Sequence, residues 1–343
     1  MRFNMKAVSC VAPGKLRLAD YPAPGPPREG WVLVGVSHVG VCRADFRLFE
    51  GGVPHLAYPR VPGHELSGKV LMVGEGVALP LGQQVVVNPY LACGKCLGCQ
   101  AEGLAACEAV EVLGVHRDGG LCERIVVPAA NLYPTNGLAL AEAASVECLA
   151  VGAAAVRRSL VGAGKRALVV GAGPIGLGTA LLAGIAGLNV MIADRDPDRL
   201  DFAAGHLGLA IADAGALAAE RARTGSSSEG FDVVFDATGD NSCIRTASNQ
   251  VAHRGTLVML SAFRKGSSIS DLEIHRRRMT LVLSEYPQRC DFEHVLECAL
   301  NGAISISKLI THRATLAEAP NCVTRWAQRR SRVIKAVISV GRH

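Results

Sequence analysis

The stretch Arg166-Ala167-Leu168-Val169-Val170-Gly171-Ala172-Gly173-Pro174-Ile175-Gly176 decides how this chain folds. Its first five residues form a short apolar run typical of a buried strand, and a helix is predicted from Pro174 to Ala186. Between them, one glycine permits the turn, one lets the backbone approach a pyrophosphate and one lets helix and strand pack closely. The N–H groups at the helix start favour phosphate, so the stretch predicts a dinucleotide site.

An acidic residue in the expected place supports this interpretation. Asp194 lies 18 residues past Gly176, at the end of the next predicted strand, Asn189 to Ala193. A carboxylate there accepts hydrogen bonds from the adenosine ribose and repels a 2′-phosphate, which favours NAD over NADP. Arg195 argues the other way, because arginine can neutralise a 2′-phosphate. The predicted cofactor-binding residues are Gly171, Gly173, Pro174, Ile175, Gly176, Asp194, Arg195 and Arg199.

Strands and helices alternate through the second half of the chain. A second helix is predicted from Pro197 to His206, and further apolar strands at 231–235, 256–260 and 278–284. Such βαβ repetition predicts a doubly wound parallel sheet of the Rossmann type. Residues before about 150 are instead rich in glycine, proline and short β-type runs, which indicates a mainly antiparallel β domain.

Four cysteines cluster with the spacing Cys93-x2-Cys96-x2-Cys99-x7-Cys107. Four thiolates close a tetrahedral zinc shell and leave no position for a substrate, so this pattern predicts a structural zinc. Two disulfides are the alternative. They are disfavoured because the N-terminus has no apolar core of the signal-peptide type.

Composition excludes several classes of protein. A chain of 343 residues is longer than one hydrophobic core usually serves, so two domains are expected. A content of 49% hydrophobic and 19% charged residues is typical of a compact enzyme. The net charge of +6 is spread over short clusters, with no aromatic interleaving of the kind that nucleic-acid binding needs. No apolar stretch is long enough to span a membrane. We therefore expect a cytoplasmic protein that binds neither nucleic acid nor membrane.

A second metal site is indicated by Cys42 in Gly40-Val41-Cys42-Arg43-Ala44-Asp45 and by His64 in Gly63-His64-Glu65. With these motifs, the cysteine cluster and the glycine-rich loop in this order, the chain resembles the zinc-dependent medium-chain dehydrogenase/reductase family over essentially its whole length. Within it, the runs 58–65 and 113–120 are similar to the polyol and sugar-acid branch, which includes sorbitol and L-galactonate or L-gulonate dehydrogenases.

The resemblance implies the fold and the domain order. It implies a GroES-like, mainly β catalytic domain at 1–152 with a zinc lobe at 90–110, and a Rossmann NAD-binding domain at 153–286. A return segment, 287–343, would pack back on the catalytic domain. Family members associate through their nucleotide domains, so the resemblance also implies a homodimer or homotetramer.

The resemblance also implies the ligands of a catalytic zinc, and so two zinc ions per chain. Cys42 and His64 would bind it with Glu147, while Cys148 is an alternative to Glu147. Glu65 would lie behind the metal as a fourth or exchangeable ligand. Asp45 would accept the other N–H of His64 and fix its tautomer.

One residue departs from the family pattern. The family usually has Ser or Thr two residues after the ligating cysteine, to pass the alcohol proton towards solvent, and this chain has Ala44. A water, a substrate hydroxyl, or His38 or His55 would have to replace it. Arg43 and Arg47 are candidates for binding a substrate carboxylate.

The implied function is the reversible oxidation of a secondary alcohol in a polyol or sugar acid to a ketone, with zinc as Lewis acid and hydride transfer to NAD. Two alternatives remain open. One is an aliphatic or aromatic alcohol dehydrogenase on the same scaffold. The other is a non-catalytic, zinc-stabilised nucleotide-binding regulatory protein, which the missing hydroxyl at position 44 would suit.

Overall fold

The computed structural model describes residues 4–53, 56–212, 230–261, 269–284, 286–329 and 332–341. His55, one of the two histidines considered for the proton relay, lies outside these ranges. Within them, no helix combines the length and apolar character needed to cross a bilayer. The chain divides into two compact units, one made of Met1–Glu147 with Leu296–His343 and the other of Cys148–Val295. The catalytic and nucleotide-binding assignments of particular segments stay predictions.

The described strands are short and follow one another closely through the chain. They are β1 (Asn4–Ala12), β2 (Lys15–Pro22), β3 (Trp31–Val41), β4 (Glu65–Val73), β5 (Gln84–Val87), β6 (Tyr90–Leu91), β7 (Glu111–Val112), β8 (Arg124–Pro128), β9 (Leu132–Pro134), β10 (Arg166–Val170), β11 (Asn189–Ala193), β12 (Ala210–Ile211), β13 (Phe231–Asp236), β14 (Val251–Met259), β15 (Thr280–Leu283), β16 (Ile310–Thr315) and β17 (Lys335–Ser339).

The described helices are mostly of two to four turns. They are α1 (Arg43–Phe49), α2 (Leu97–Glu102), α3 (Leu140–Ala143), α4 (Val146–Ser159), α5 (Pro174–Ile185), α6 (Pro197–Leu207), α7 (Asn241–Asn249), α8 (Asp271–Arg277), α9 (Arg289–Leu300) and α10 (Ala319–Gln328). Short 3-10 segments lie at Gly103–Ala106, Ala129–Asn131 and Ile306–Leu309.

The second unit contains a six-stranded parallel sheet in the order β12-β11-β10-β13-β14-β15. Its central strand β10 is apolar and covered on both faces, with Ala167, Leu168 and Val169 at most 1% exposed. This confirms the predicted parallel sheet. β14 begins at Val251, before the apolar run at 256–260 from which it was predicted. Its first half was not predicted because a bulge opposite β13 interrupts the pairing there.

The first unit is organised around a seven-stranded sheet in the order β16-β17-β3-β4-β5-β9, with β8 also paired to β3. Its neighbours pair antiparallel except β16 and β17. The long strand β3 is its core, and Val32, Val34 and Val36 are fully buried. The late strand β17 pairs with β3, so the end of the chain completes a sheet begun near its start.

This sheet also brings the candidate metal ligands together. Strand β3 ends at Val41 and Cys42 follows directly, while β4 begins at Glu65 directly after His64. The antiparallel register places Gly40 opposite Glu65. Two segments that are distant in sequence therefore meet at the same end of one strand pair.

Candidate metal and nucleotide sites

Cys42, His64 and Glu65 converge in the first unit. One ligand atom from each lies within 4.8 Å of the other two. Cys42 is the N-cap of α1, and Asp45 at the third helical position accepts a hydrogen bond from the Cys42 N–H at 2.8 Å. The Asp45 carboxylate also accepts from the Gly63 N–H at 3.1 Å, so it joins the two segments that carry the donors.

The sulfur, nitrogen and carboxylate donors match the chemistry of a catalytic zinc site, which uses a few protein ligands and leaves a position open. His64 is 6% exposed, and its Nδ1 atom is buried without a hydrogen-bond partner. Burial by itself lowers the pKa of His64. Its acidic neighbours Asp45, Cys42 and Glu147 outweigh burial and raise that pKa well above its ordinary value. The described residues therefore fit a cation.

The predicted hydrogen bond from His64 to Asp45 is not formed in this arrangement. The Nδ1 and Oδ1 atoms are 3.7 Å apart, beyond hydrogen-bonding distance. The Asp45 carboxylate instead binds the two backbone N–H groups described above. Burial raises the pKa of Asp45, and His64 opposes that rise. A role for Asp45 in fixing the His64 tautomer stays a prediction.

Glu65 has a partner that no sequence motif revealed. The Lys335 ammonium at the start of β17 lies 2.7 Å and 2.6 Å from the two Glu65 carboxylate oxygens. The Glu65 side chain is 0% exposed and the Lys335 side chain 2% exposed, so this ion pair is shielded from water. Gly40 makes room for it, since a Cβ at that position would collide with the Glu65 carboxylate. The sequence offers one sign of this pair, because Lys335 is the only charged residue in the mostly apolar run 333–340.

Glu147, the predicted third ligand, is 3% exposed and accepts a hydrogen bond from the Tyr90 hydroxyl. Its oxygens are not among the mutually close donor atoms found in the described residues, where Glu65 supplies the carboxylate. Burial raises the pKa of Glu147, and the nearby His64 lowers it. Glu147 as a direct ligand therefore stays a prediction, and Tyr90 is a second residue that the sequence motifs did not reveal.

The remaining residues considered for this site are less informative. Cys148, the alternative ligand, is 2% exposed and belongs to the second unit, outside the donor sets that the described residues form. His38, on β3, has a buried Nδ1 atom without a hydrogen-bond partner, and burial lowers its pKa. Arg43 and Arg47 are exposed. No residue is therefore assigned to the proton relay.

The four cysteines of the lobe form a second donor set. Their sulfur atoms lie within 4.8 Å of one another and all four are free thiols. Cys93 and Cys99 sulfurs are 3.7 Å apart, whereas a disulfide bond is about 2.05 Å long. Backbone N–H groups at Lys95 and Cys96 lower the pKa of Cys93 to about 6. A thiol that ionises readily within a set of four fits a structural zinc.

The glycine-rich loop has the geometry that its sequence predicted. Gly171 has φ +104°, a conformation that side chains rarely adopt. A Cβ on Gly176 would collide with the Gly171 carbonyl, so only glycine lets helix and loop come this close. Gly173 is the N-cap of α5 and Pro174 its first residue, which leaves the N–H groups at the helix start directed towards the loop.

The acidic residue after β11 is part of this loop. Asp194 accepts hydrogen bonds from the N–H groups of Ala172 at 2.6 Å and Asp196 at 3.0 Å. Arg199 lies 3.8 Å from Asp194, whereas Arg195 is 83% exposed and faces Asp240. The predicted set of nucleotide-binding residues therefore lies together, with Asp194 at its centre and Arg195 at its edge.

Two family models match the chain: the alcohol dehydrogenase GroES-like domain at residues 28–137 and the zinc-binding dehydrogenase domain at residues 174–301. L-galactonate-5-dehydrogenase of Escherichia coli K12 is 37% identical over 92% of this chain and 94% of that protein. D-altritol 5-dehydrogenase of Agrobacterium fabrum is 33% identical over 92% and 94%. A crystal structure of an Escherichia coli CFT073 alcohol dehydrogenase with NADH is 28% identical, with TM-score 0.88 over 98% and 99% of the two chains.

Proposed function

This chain belongs to the zinc-dependent medium-chain dehydrogenase/reductase family, and we propose that it reversibly oxidises a secondary alcohol of a sugar acid or polyol to a ketone with NAD. The observation that carries this proposal is the convergence of Cys42, His64 and Glu65 in a chain that also has the complete glycine-rich loop. A non-catalytic protein has no use for a donor set with an open position.

Cys42, His64 and a carboxylate from Glu65 or Glu147 would hold the catalytic zinc, and the four lobe cysteines a structural one. A bound zinc acts as a Lewis acid that makes the substrate hydroxyl easier to deprotonate near neutral pH. Asp45 contributes by tying the backbones of Cys42 and Gly63 together, which fixes the separation of the two donors. The burial of His64 and Glu65 limits competition from water.

The hydride acceptor would be a nicotinamide dinucleotide bound through the loop of the second unit. The N–H groups at the start of α5 would receive the pyrophosphate. Asp194 supports NAD over NADP, because its carboxylate would repel a 2′-phosphate, and the exposed Arg195 faces Asp240 instead.

The substrate class is proposed from the relatives. The two relatives described above are named as 5-dehydrogenases, one of a sugar acid and one of a polyol. We propose a six-carbon sugar acid first and a polyol second, with oxidation at a secondary carbon remote from the acid group.

The test is a screen of purified, zinc-loaded protein against aldonic acids, hexitols and simple aliphatic and aromatic alcohols, following NADH and NADPH formation at 340 nm. We expect the highest kcat/KM with a sugar acid and NAD. Preference for hydrophobic primary alcohols would favour the alcohol dehydrogenase alternative. No turnover with any substrate, together with one zinc per chain, would favour the non-catalytic protein.

We also propose a cytoplasmic homodimer or homotetramer. β15 lies at the end of the strand order in the second unit, and its Leu281 and Leu283 are 40% and 46% exposed, more than apolar strand residues usually are. Pairing of this edge with a second copy would cover them. Light scattering after gel filtration tests the assembly.

A further inference from the structure

We propose that Tyr90 is a positioning residue that holds Glu147 ready for the metal. Its hydroxyl donates a hydrogen bond to Glu147 Oε1. A carboxylate has two oxygens, so a donor fixed on Oε1 orients the group and leaves Oε2 for a cation. The inference rests on the catalytic zinc site of the proposed function.

Tyr90 can position Glu147 because its own backbone is fixed on both sides. Its N–H donates to Asn88 Oδ1 at 3.0 Å, and its carbonyl accepts from Asn131 Nδ2 at 2.8 Å. Tyr90 also pairs with Val112 in the small β6–β7 ribbon. The phenol is rigid apart from two side-chain torsions, so anchoring the backbone fixes the hydroxyl with little further loss of entropy.

The two buried carboxylates of the site differ in the charge of their partners. Glu65 is paired with the Lys335 ammonium, which neutralises it. Glu147 has a neutral phenol as its hydrogen-bond partner on Oε1, and the cations His64 and Lys335 act on it through space. Lys335 binds both oxygens of Glu65, whereas Tyr90 binds only one oxygen of Glu147, so Glu147 is the carboxylate with an oxygen left for an arriving cation. Tyr90 therefore orients Glu147 for the metal, although in this structure it is a Glu65 oxygen that lies within 4.8 Å of the Cys42 and His64 donor atoms.

The experiment is a cobalt titration of the full chain after removal of bound metal with a chelator. Co2+ at the four-cysteine site and at the mixed-donor site give distinct absorption spectra, so the two sites can be followed separately. In Tyr90→Phe we expect Co2+ affinity at the mixed-donor site to fall roughly 10–100-fold, with shifted d–d bands, as for other residues that orient a metal ligand. The cysteine-lobe signal should stay unchanged, which also shows that the variant is folded.

Tyr21→Phe is the matched control. The Tyr21 hydroxyl donates a hydrogen bond to the Asp118 carboxylate at 2.8 Å, so this variant loses the same kind of bond without touching the anchors of Tyr90. The control variant also loses one tyrosine hydroxyl from the first unit, and it should keep the wild-type cobalt spectrum and affinity. If Tyr90→Phe folds poorly, the double variant Tyr90→Phe/Glu147→Gln removes the stranded carboxylate and serves instead.

The effects of the two substitutions should not add. Once Glu147→Gln is present, Tyr90→Phe should change cobalt affinity by less than about threefold, because the carboxylate to be oriented is gone. Full additivity, or a Tyr90→Phe spectrum identical to wild type, would overturn the proposal. Both results concern the metal alone. A spectrum that changes in a protein without dehydrogenase activity would therefore leave the positioning role standing and reject the proposed function.

Discussion

Replacing Lys335 with methionine should destabilise the metal-free protein by an amount that its burial sets. The Lys335 ammonium and the Glu65 carboxylate are 2.6 Å apart, and their side chains are 2% and 0% exposed. Removing one partner of a buried ion pair leaves an uncompensated charge, which costs about 3–5 kcal/mol. For a unit of 150–250 residues, each kcal/mol shifts Tm by about 2–4 °C, so we expect a fall of roughly 6–20 °C.

The assay is thermal unfolding followed by circular dichroism, with all variants compared both metal-free and zinc-loaded. Lys6→Met is the control with the same chemical change, because Lys6 pairs with Asp20 at 2.9 Å on the surface, where the side chains are 52% and 61% exposed. Surface pairs contribute about 0.2–1 kcal/mol, so its Tm should fall by less than about 4 °C.

Two further measurements separate a charge effect from simple loss of packing. In the double variant Lys335→Met/Glu65→Gln the stranded charge is absent, so most of the lost stability should return. Zinc binding should also lessen the defect of Lys335→Met, since the cation would compensate Glu65. A single variant as stable as the wild type, or a double variant no more stable than the single one, would refute the reasoning.

Because acidic neighbours raise the pKa of His64 well above its ordinary value, the metal-free imidazole keeps its proton to higher pH than an ordinary histidine, and a zinc ligand must be neutral. Zinc affinity at this site should therefore rise with pH, by up to about tenfold per pH unit below the pKa of His64, and calorimetry in buffers of different ionisation enthalpy should detect the released proton. Cys107→Ser should lower zinc from two ions to one per chain by plasma emission analysis while NADH binding, measured by fluorescence, persists; retention of both ions would contradict the lobe assignment. Gly176→Ala should abolish NADH binding because its methyl group collides with the Gly171 carbonyl, whereas Gly184→Ala, on the same helix with open space around it, should bind NADH normally and gain about 0.4–1 kcal/mol. Equal behaviour of these two alanine variants would show that the close approach at Gly176 is not required.

The parts that could be predicted from sequence were those with a local physical cause. The strand β10 and the loop after it need only an apolar run and glycines at fixed spacing, and their predicted bounds match the structure. The cysteine lobe is equally local, since its four sulfurs come from one 15-residue stretch. The first half of β14 was missed, because a bulge and polar residues interrupt the alternation there.

The candidate site was only partly predictable because its partners come from distant segments. Lys335 is 270 positions from Glu65, and Tyr90 is 57 from Glu147, so no motif could connect them. The expectation that Asp45 hydrogen-bonds His64 came from resemblance. The structure shows that its oxygens instead accept hydrogen bonds from two backbone N–H groups, which spacing alone does not reveal.

The late position of β17 has a consequence for how the chain is made. A ribosome adds roughly 5–20 residues per second, so the 270 positions between Glu65 and Lys335 take about 14–54 s to translate. During that interval the nascent N-terminal strands hold an acidic side chain at a place that will later be dry. The carboxylate must stay hydrated or protonated until its cation emerges, so the sheet around β3 can close fully only after Lys335 has been synthesised.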